Sequence, residues 1–163
     1  IFGNLPYNIS SQILVKFIIN KNKFKFKKLI FMFQKELADR ILAKVNSSNY
    51  GRFSILANWK FDIEKVIDIK PNSFLPKPKI SSSLLIFNPK TPSIKLKNPK
   101  NLEYVTSVFF NQRRKKIKKP MNILFKNSLD ISKKLKLNLD LRPQNVSPEV
   151  FYQLTKEYEN LRS

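Results

Sequence analysis

The sequence contains no cysteine and no histidine, and these two absences limit the chemistry that the chain can carry out. Without cysteine it has no disulfide framework and no thiolate ligand for zinc. Without histidine it lacks the commonest general base, the commonest metal ligand and any Ser–His or Cys–His pair. We therefore expect no metal site. Any catalysis here has to work without imidazole or thiol groups, and methyl transfer to an amine fits because it needs positioning more than a strong base.

Long apolar runs and a signal-peptide pattern are also absent. No stretch of about 18 apolar residues occurs, so we expect no membrane span and no membrane partner. The sequence begins with Ile rather than Met, and Ile1-Phe2 is typical of a buried strand already in progress. We therefore expect the chain to be the C-terminal part of a longer protein.

Acidic residues are few: 11 Asp and Glu face 32 Lys and Arg, which gives a net charge of +21. Such an excess favours a polyanionic partner, most simply nucleic acid. Lys outnumbers Arg by 26 to 6, a bias that an AT-rich genome also produces. We therefore assign the sign of the charge to function, and not its full size.

The first ten residues contain a motif that suits a pocket for a flipped base, Gly3-Asn4-Leu5-Pro6-Tyr7-Asn8-Ile9-Ser10. An Asn side-chain carbonyl and the next backbone carbonyl can both accept hydrogen bonds from one exocyclic amino group. Proline fixes φ at roughly −65° and so holds that backbone in one shape, and the Tyr ring offers a stacking face. The alternative is an ordinary strand-to-helix turn, since Asn, Pro and Ser favour turns and caps.

Apolar periodicity predicts alternating helices and strands in the first part of the chain. In chain order the pattern predicts a helix capped by Ser10 or Ser11, a loop at 21–28, a strand at 29–33, a helix at 34–45, a loop at 46–51, a helix at 53–59, a strand at 63–69, a proline-rich loop at 71–78 and a strand at 82–87. This order is typical of an α/β layer with a parallel core, closed by a hairpin-like pair of strands.

Beyond a linker rich in Pro and Lys, the strand pattern ends and only helices are predicted, at 102–110, 121–127, 131–137 and 148–161. The last helix has Ser147 at its N-cap and Pro148 at its first position. We therefore place a domain boundary near residue 90, which divides the chain into residues 1–90 and 91–163.

Five motifs, in the same order and spacing, resemble the KsgA/RsmA family of bacterial small-subunit ribosomal RNA adenine dimethyltransferases. They are the opening Gly3–Ser10 motif, Gln34-Lys35-Glu36, Tyr50-Gly51-Arg52, the segment from Phe74-Leu75-Pro76-Lys77-Pro78 to Ser82, and Phe110-Asn111-Gln112-Arg113-Arg114-Lys115. Arg142 with Asn145-Val146-Ser147 is similar to the segment before the family's last helix. The resemblance covers essentially the whole chain.

The resemblance implies a fold and a reaction. Residues 1–90 would be the C-terminal half of a Rossmann-like methyltransferase domain that uses S-adenosylmethionine, and residues 91–163 a small all-α domain. The glycine-rich loop and the acidic residues of the cofactor site would lie upstream. The whole protein would dimethylate N6 of adjacent adenines in a hairpin near the 3′ end of 16S ribosomal RNA. It would act on the pre-30S particle as a cytoplasmic monomer with a role in subunit biogenesis.

The resemblance also implies roles for individual residues of the proposed base pocket. The Asn4 side chain and the Leu5 backbone carbonyl would accept hydrogen bonds from the two N–H groups of adenine N6. Asn4 would also border the methionine part of the cofactor. Pro6 would fix the geometry. Tyr7 would stack on one face of the base and Phe74 on the other. A core aromatic that anchors a proline-rich loop is the alternative interpretation of Phe74.

Basic residues in two of the motifs are candidate RNA-phosphate contacts. Arg52 belongs to a predicted turn, and residues 111–119 contain six basic residues in nine. The candidates there are Arg113, Arg114, Lys115 and Lys116. The alternative is a solvated helix face.

Other readings of the chain remain open. Enzymes of the Erm type, which methylate 23S ribosomal RNA, share the Asn-x-Pro-Tyr pattern, but Leu5, Asn8 and the Asn-Gln-Arg-Arg-Lys segment favour the small-subunit enzymes. Mitochondrial relatives double as transcription factors. A non-catalytic basic protein that binds ribosomal RNA or assists assembly would use the same surfaces without methyl transfer. An upstream glycine-rich loop, followed by an acidic residue about 20 positions on, would favour the enzyme.

Overall fold

The computed structural model describes residues 1–20 and 26–162. Most of the loop predicted at 21–28 therefore lies outside the described residues. The strands are β1 (Phe2–Asn4), β2 (Leu29–Gln34), β3 (Phe61–Ile69) and β4 (Ser82–Pro89). The helices are α1 (Ser10–Ile19), α2 (Lys35–Ile41), α3 (Arg52–Lys60), α4 (Pro99–Phe110), α5 (Lys118–Leu124), α6 (Ser128–Lys134) and α7 (Pro148–Asn160). Single 3-10 turns occur at Pro71–Ser73 and Pro143–Asn145.

The four strands form one sheet in the order β1-β2-β4-β3. β1 pairs with β2 in parallel, whereas β4 is antiparallel to both β2 and β3. The register places Ser82, the first residue of β4, opposite Gln34 of β2 and Ile69 of β3. The predicted α/β layer, with a parallel pair and a closing hairpin, is confirmed.

One face of the sheet is buried by helices, and the other face is open. Side chains of β2 and β4, with Phe61 at the start of β3, are buried on one face of the sheet. They include a cluster of aromatic rings formed by Phe31, Phe33, Phe61 and Phe87. The opposite face carries apolar side chains around an open cavity of about 540 Å³: Phe2, Ile30, Met32, Val66, Ile69, Leu84 and Ile86. Phe2 is 82% exposed there.

Several predictions about helix ends are wrong. α4 begins three residues before the predicted position 102, and α5 and α6 each begin and end three residues before the predicted 121–127 and 131–137. α2 ends at Ile41 and not at residue 45. The N–H of Asn46 bonds instead to the carbonyl of Gln144 at 3.0 Å, and Asn46 has a φ of 71°. A tertiary partner thus draws this segment out of the helix. α1 has no side-chain cap, because the Ser10 hydroxyl donates to the Tyr7 carbonyl rather than accepting from the first helical turn.

The C-terminal helices pack against the sheet region in one continuous hydrophobic cluster. α7 begins as predicted, with the Ser147 hydroxyl accepting from the Val150 N–H and Pro148 at the first position. The Trp59 indole N–H donates to the Ile94 carbonyl at 3.0 Å, which ties the segment after β4 to α3. Within the described residues, no helix has both the length and the apolarity to cross a membrane.

Candidate active site

The opening motif forms the connection between β1 and α1. Asn4 is the last residue of β1, so it lies at the carboxyl end of a strand in a parallel pair, the edge where open α/β sheets bind ligands. The chain then turns, and the Ile9 N–H bonds to the Pro6 carbonyl at 3.1 Å. The Ser10 hydroxyl bonds to the Tyr7 carbonyl at 3.1 Å. Both bonds fix the backbone that follows Asn4.

Gly3 allows β1 to lie close to β2. A Cβ atom at this position would lie 3.0 Å from Cδ2 of Leu5 and 3.1 Å from Cδ1 of Phe31. Phe31 is 1% exposed and lies within the aromatic cluster, so its ring cannot move aside easily. Although Gly3 is part of the motif, the sequence alone gave no reason for a glycine there. The reason is this close approach.

A cavity of about 360 Å³ joins the opening motif to the β3–β4 connection. Its lining residues are Asn4, Leu5, Pro6, Tyr7, Phe74, Pro76 and Pro78. All five residues predicted for the base pocket are thus brought together across some 70 positions of sequence. They come together because the amino end of β4, antiparallel to β2, lies at the same edge as the carboxyl ends of β1 and β2.

Ser82 is a contact of this site that the sequence reasoning missed. Its Oγ lies 2.5 Å from the hydroxyl oxygen of Tyr7, and the residue is 0% exposed. The turn after β1 therefore reaches past the end of β2 to the start of β4. Ser82 belongs to the motif that carries Phe74, but no sequence pattern pairs it with Tyr7, because sheet order decides that contact.

A group of charged side chains lies where β3 and β4 meet the connection between them. Asp68 accepts from the Ser83 hydroxyl at 2.6 Å and from Lys35 Nζ and Lys65 Nζ, each at 3.1 Å. The hydrogen bond from Ser83, followed by those from the two lysines, lowers the pKa of Asp68 well below its ordinary value. These contacts hold the ends of β3 and β4 against α2.

Asn4 also lines the open apolar cavity on the uncovered sheet face. Among the residues that line that cavity, Asn4 alone has a polar side chain. Asn4 therefore lies between two cavities, one lined by aromatic and proline side chains and one lined by aliphatic side chains and Phe2. A side chain in this place can contact a base on one side and a second ligand on the other.

The residues predicted to contact RNA do not line the base cavity. They differ in the ion pairs and hydrogen bonds that they form within the protein. Arg52 lies 3.8 Å from Glu103, and Lys116 bonds to Asp140 at 2.7 Å. Arg113 donates to the carbonyl of Ser47 at 3.3 Å and also to that of Ser48. Arg114 and Lys115 are exposed.

Arg52 and Arg113 line a third cavity, of about 390 Å³, together with Arg40. The sequence reasoning missed Arg40, although its position four residues after Glu36 predicts the ion pair seen at 2.6 Å. Three guanidinium groups thus line one cavity, which gives it a basic wall. The described residues contain no cluster of three or more acidic side chains able to hold a metal ion.

The model of one protein family, described as ribosomal RNA adenine dimethylase, matches residues 1–160. The chain belongs to the ribosomal RNA adenine dimethylase family. The resemblance stated from the motifs is confirmed. The match runs through both the sheet region and the C-terminal helices, so the family accounts for nearly all of the chain.

Relatives within the adenine dimethylase family carry the name ribosomal RNA small subunit methyltransferase A. The protein from Pelagibacter ubique (strain HTCC1062) is 56% identical over 163 residues, which cover 99% of this chain and 62% of that protein. The one from Borreliella burgdorferi (strain ZS7) is 42% identical, covering 95% of this chain and 54% of that protein. The chain therefore spans somewhat more than half the length of these relatives.

Two solved structures share the fold of the chain. A dimethyladenosine transferase from Plasmodium falciparum superimposes with a TM-score of 0.81 at 27% identity, covering 98% of this chain and 66% of that one. The 23S rRNA methyltransferase ErmE superimposes with a TM-score of 0.63 at 17% identity, covering 98% of this chain and 64% of that one, which shows a common fold alone. The expected Rossmann-like methyltransferase architecture is confirmed.

Proposed function

We propose that the full-length protein containing this chain transfers methyl groups from S-adenosylmethionine to N6 of adenines in small-subunit ribosomal RNA. The observation that carries the proposal is the cavity in which Asn4, Leu5, Pro6 and Tyr7 meet Phe74. It combines carbonyl acceptors with aromatic walls at the carboxyl end of β1. Such a combination suits a planar base that presents an exocyclic amine.

The two acceptors explain how an amine without a strong base nearby can react. In free adenine, the N6 lone pair is delocalised into the ring and is a poor nucleophile. The Asn4 side-chain carbonyl and the Leu5 backbone carbonyl each accept a hydrogen bond from one N6–H. These two bonds draw both hydrogens out of the ring plane, which localises the lone pair on nitrogen. After attack the nitrogen is strongly acidic and loses its proton without a dedicated base, which suits a chain without histidine.

The walls of the cavity hold the base in position for this step. Pro6 restricts the backbone that carries the Leu5 carbonyl. Tyr7 stacks on one face of the adenine and Phe74 on the other, and such base–aromatic stacking contributes about 1–3 kcal/mol per base. The partial exposure of both rings leaves their faces accessible to a flipped nucleotide.

The residues of this chain fit one side of a cofactor site. Asn4 is the polar side chain of the apolar cavity on the uncovered sheet face, and we propose that it borders the methionine part of S-adenosylmethionine. When bound, that cofactor supplies an electrophilic methyl group on a sulfonium. We infer that the remaining contacts to it come from residues upstream of Ile1, so that residues 1–90 form half of a methyltransferase domain and residues 91–163 the helical domain.

The basic surfaces support an RNA partner. Arg52, Arg113, Arg114, Lys115 and Lys116 are proposed to contact backbone phosphates and set the register of the RNA. Arg40, beside Arg52 and Arg113, joins them. The partner would be the pre-30S particle, where adjacent adenines in a hairpin near the 3′ end of 16S RNA receive two methyl groups each. The protein would act as a cytoplasmic monomer and assist subunit biogenesis.

The Asn4→Ala variant of the full-length protein tests the proposal. We expect single-turnover methylation of a small-subunit precursor to fall by about 10²–10³-fold, because a donor–acceptor contact that strengthens in the transition state is lost. RNA affinity should stay within about twofold, since the loss concerns the transition state and not ground-state binding. Asn88→Ala, at the far end of β4, is the matched control. Parental methylation by Asn4→Ala would refute the proposed role of the motif.

A further inference from the structure

Ser82 and Tyr7 form a partly buried contact between a residue fixed in the sheet and a residue of a turn. Ser82 pairs on both sides, with Gln34 of β2 and with Ile69 of β3. The Lys35 N–H also bonds to the carbonyl of Ser81 at 3.0 Å, one residue before it. A residue held by two ladders and a neighbouring bond has almost no freedom to move.

Tyr7, by contrast, belongs to a turn. It lies outside the strands and helices, and its ring is partly exposed where it lines the base cavity. A tyrosine ring moves about two side-chain torsions, so the turn backbone alone does not define the plane of the ring. The 2.5 Å contact with Ser82 Oγ gives the ring a second fixed point at its far end.

The contact also links the two halves of the cavity wall. Tyr7 follows β1, whereas Phe74 lies in the connection that ends at Ser82. A change in the position of Ser82 therefore moves the anchor of the first ring and the end of the loop that carries the second.

We propose that Ser82 is a positioning residue that fixes the Tyr7 ring, and with it the plane of the bound adenine. The proposal rests on the proposed function, since it assigns a role within the same pocket. Ser82 does not touch the base. Because N6 must lie in line with the methyl donor, a tilt of the adenine reduces the fraction of bound complexes that react. The effect falls on the methylation step more than on RNA binding.

The test compares variants of the full-length protein in single-turnover methylation, RNA affinity and thermal unfolding. Ser82→Ala and Tyr7→Phe each remove one partner of the same bond. Each should lower the methylation rate constant by about tenfold while the RNA dissociation constant stays within about twofold. The double variant should lose no more than the stronger single variant, because the second change has no bond left to break. Ser82→Thr, which keeps the hydroxyl, should restore the rate to within about threefold of the parent.

Ser83→Ala is the matched control. Ser83 is equally buried and is the next residue of β4, but its hydroxyl bonds to Asp68 rather than to Tyr7. Without the Ser83 hydroxyl, Asp68 still accepts hydrogen bonds from Lys35 and Lys65. The methylation rate of this variant should therefore stay within about twofold of the parental rate, even where its melting temperature falls. Tyr7→Phe acts from the partly exposed side, and so it remains informative if Ser82→Ala does not fold.

The outcomes separate this proposal from the proposed function. If the parent methylates, Asn4→Ala does not, and Ser82→Ala and Tyr7→Phe both match the parental rate, the positioning role is overturned and the proposed function stands. Multiplicative losses in the double variant, or equal losses in Ser83→Ala, also overturn it. If the parent itself transfers no methyl group, the proposed function fails first.

Discussion

The hydroxyl of Tyr50 donates a 2.8 Å hydrogen bond to the backbone carbonyl of Val146. The reciprocal bond joins the Tyr152 hydroxyl to the Ile55 carbonyl at 2.9 Å. Each bond crosses between the sheet region and the C-terminal helices, and each is buried. Two neutral phenol hydroxyls therefore connect the predicted domains. Ionisation of either phenol would remove its donated proton, so the stability of the fold should depend on pH.

We expect stability to fall as pH rises above 10. Burial, with a smaller effect of neighbouring charges such as Glu149, raises the pKa of Tyr50 and of Tyr152 well above their ordinary value of 10. The unfolded chain loses these protons first, so the folded state binds more protons and alkaline pH favours unfolding, by about 1.4 kcal/mol per pH unit per tyrosine. Denaturant unfolding at pH values from 8 to about 12 measures this slope.

The variants for this measurement are Tyr50→Phe and, as control, Tyr104→Phe. Tyr50→Phe should cost about 1–2 kcal/mol at pH 7, because the Val146 carbonyl loses its buried donor. Its stability should then decline less steeply with alkaline pH than that of the parent. Tyr104 is 45% exposed and takes part in neither buried bond, so Tyr104→Phe keeps both phenol–carbonyl bonds and serves as the control. Equal slopes in all three proteins would contradict the assignment.

Replacement of Gly3 with Ala should destabilise the fold by about 1–3 kcal/mol, the usual cost of an extra methyl group in a packed core. The added Cβ would press on Phe31 and Leu5. Because Leu5 carries one of the proposed acceptor carbonyls, methylation should decline as well. Gly51→Ala is the control: its Cβ would lie 3.8 Å from Phe110, an ordinary contact, and should change stability by less than about 0.5 kcal/mol. Chemical denaturation of both variants gives the comparison.

Phe74→Ala should remove about 1–3 kcal/mol from the binding of the flipped adenine. Tyr7→Ala should do the same, and both losses should be partly restored by another aromatic side chain. Fluorescence of a 2-aminopurine placed at the target position reports on stacking, and single-turnover rates report on reaction. If Phe74→Ala lowers only the melting temperature, Phe74 is a core residue that anchors the loop.

Arg114→Ala should reduce the slope of log affinity against log salt by about 0.7–0.9, the contribution of one phosphate contact. Arg113→Ala should also lower thermal stability, since Arg113 donates to the carbonyls of Ser47 and Ser48. Arg162→Ala removes the same charge beside Tyr158 and serves as the control. Filter binding between about 50 and 200 mM salt gives the slopes. An unchanged slope for Arg114→Ala would mark the cluster as a solvated face.

Local signals in the sequence determined most of the secondary structure. The unbroken apolar run at 29–33 predicted β2, and Ser147-Pro148 predicted the first turn of α7, because strand burial and helix capping depend on neighbouring residues. The opening motif and Phe74 were also predicted to form one pocket, by resemblance to a family whose motifs stand in the same order. The sequence likewise predicted that the chain works without thiol or imidazole groups.

The tertiary structure decided what depends on residues distant in sequence. After α2, the Asn46 N–H bonds to the distant Gln144 carbonyl and not to a carbonyl of a continued helix. The strand order β1-β2-β4-β3 brings Ser82 next to Tyr7. Because the Tyr7 hydroxyl has this buried partner, we expect Tyr7→Phe to cause a measurable loss of methylation. Strand order and register arise from the burial of whole faces, a property of the assembled sheet that no local pattern encodes.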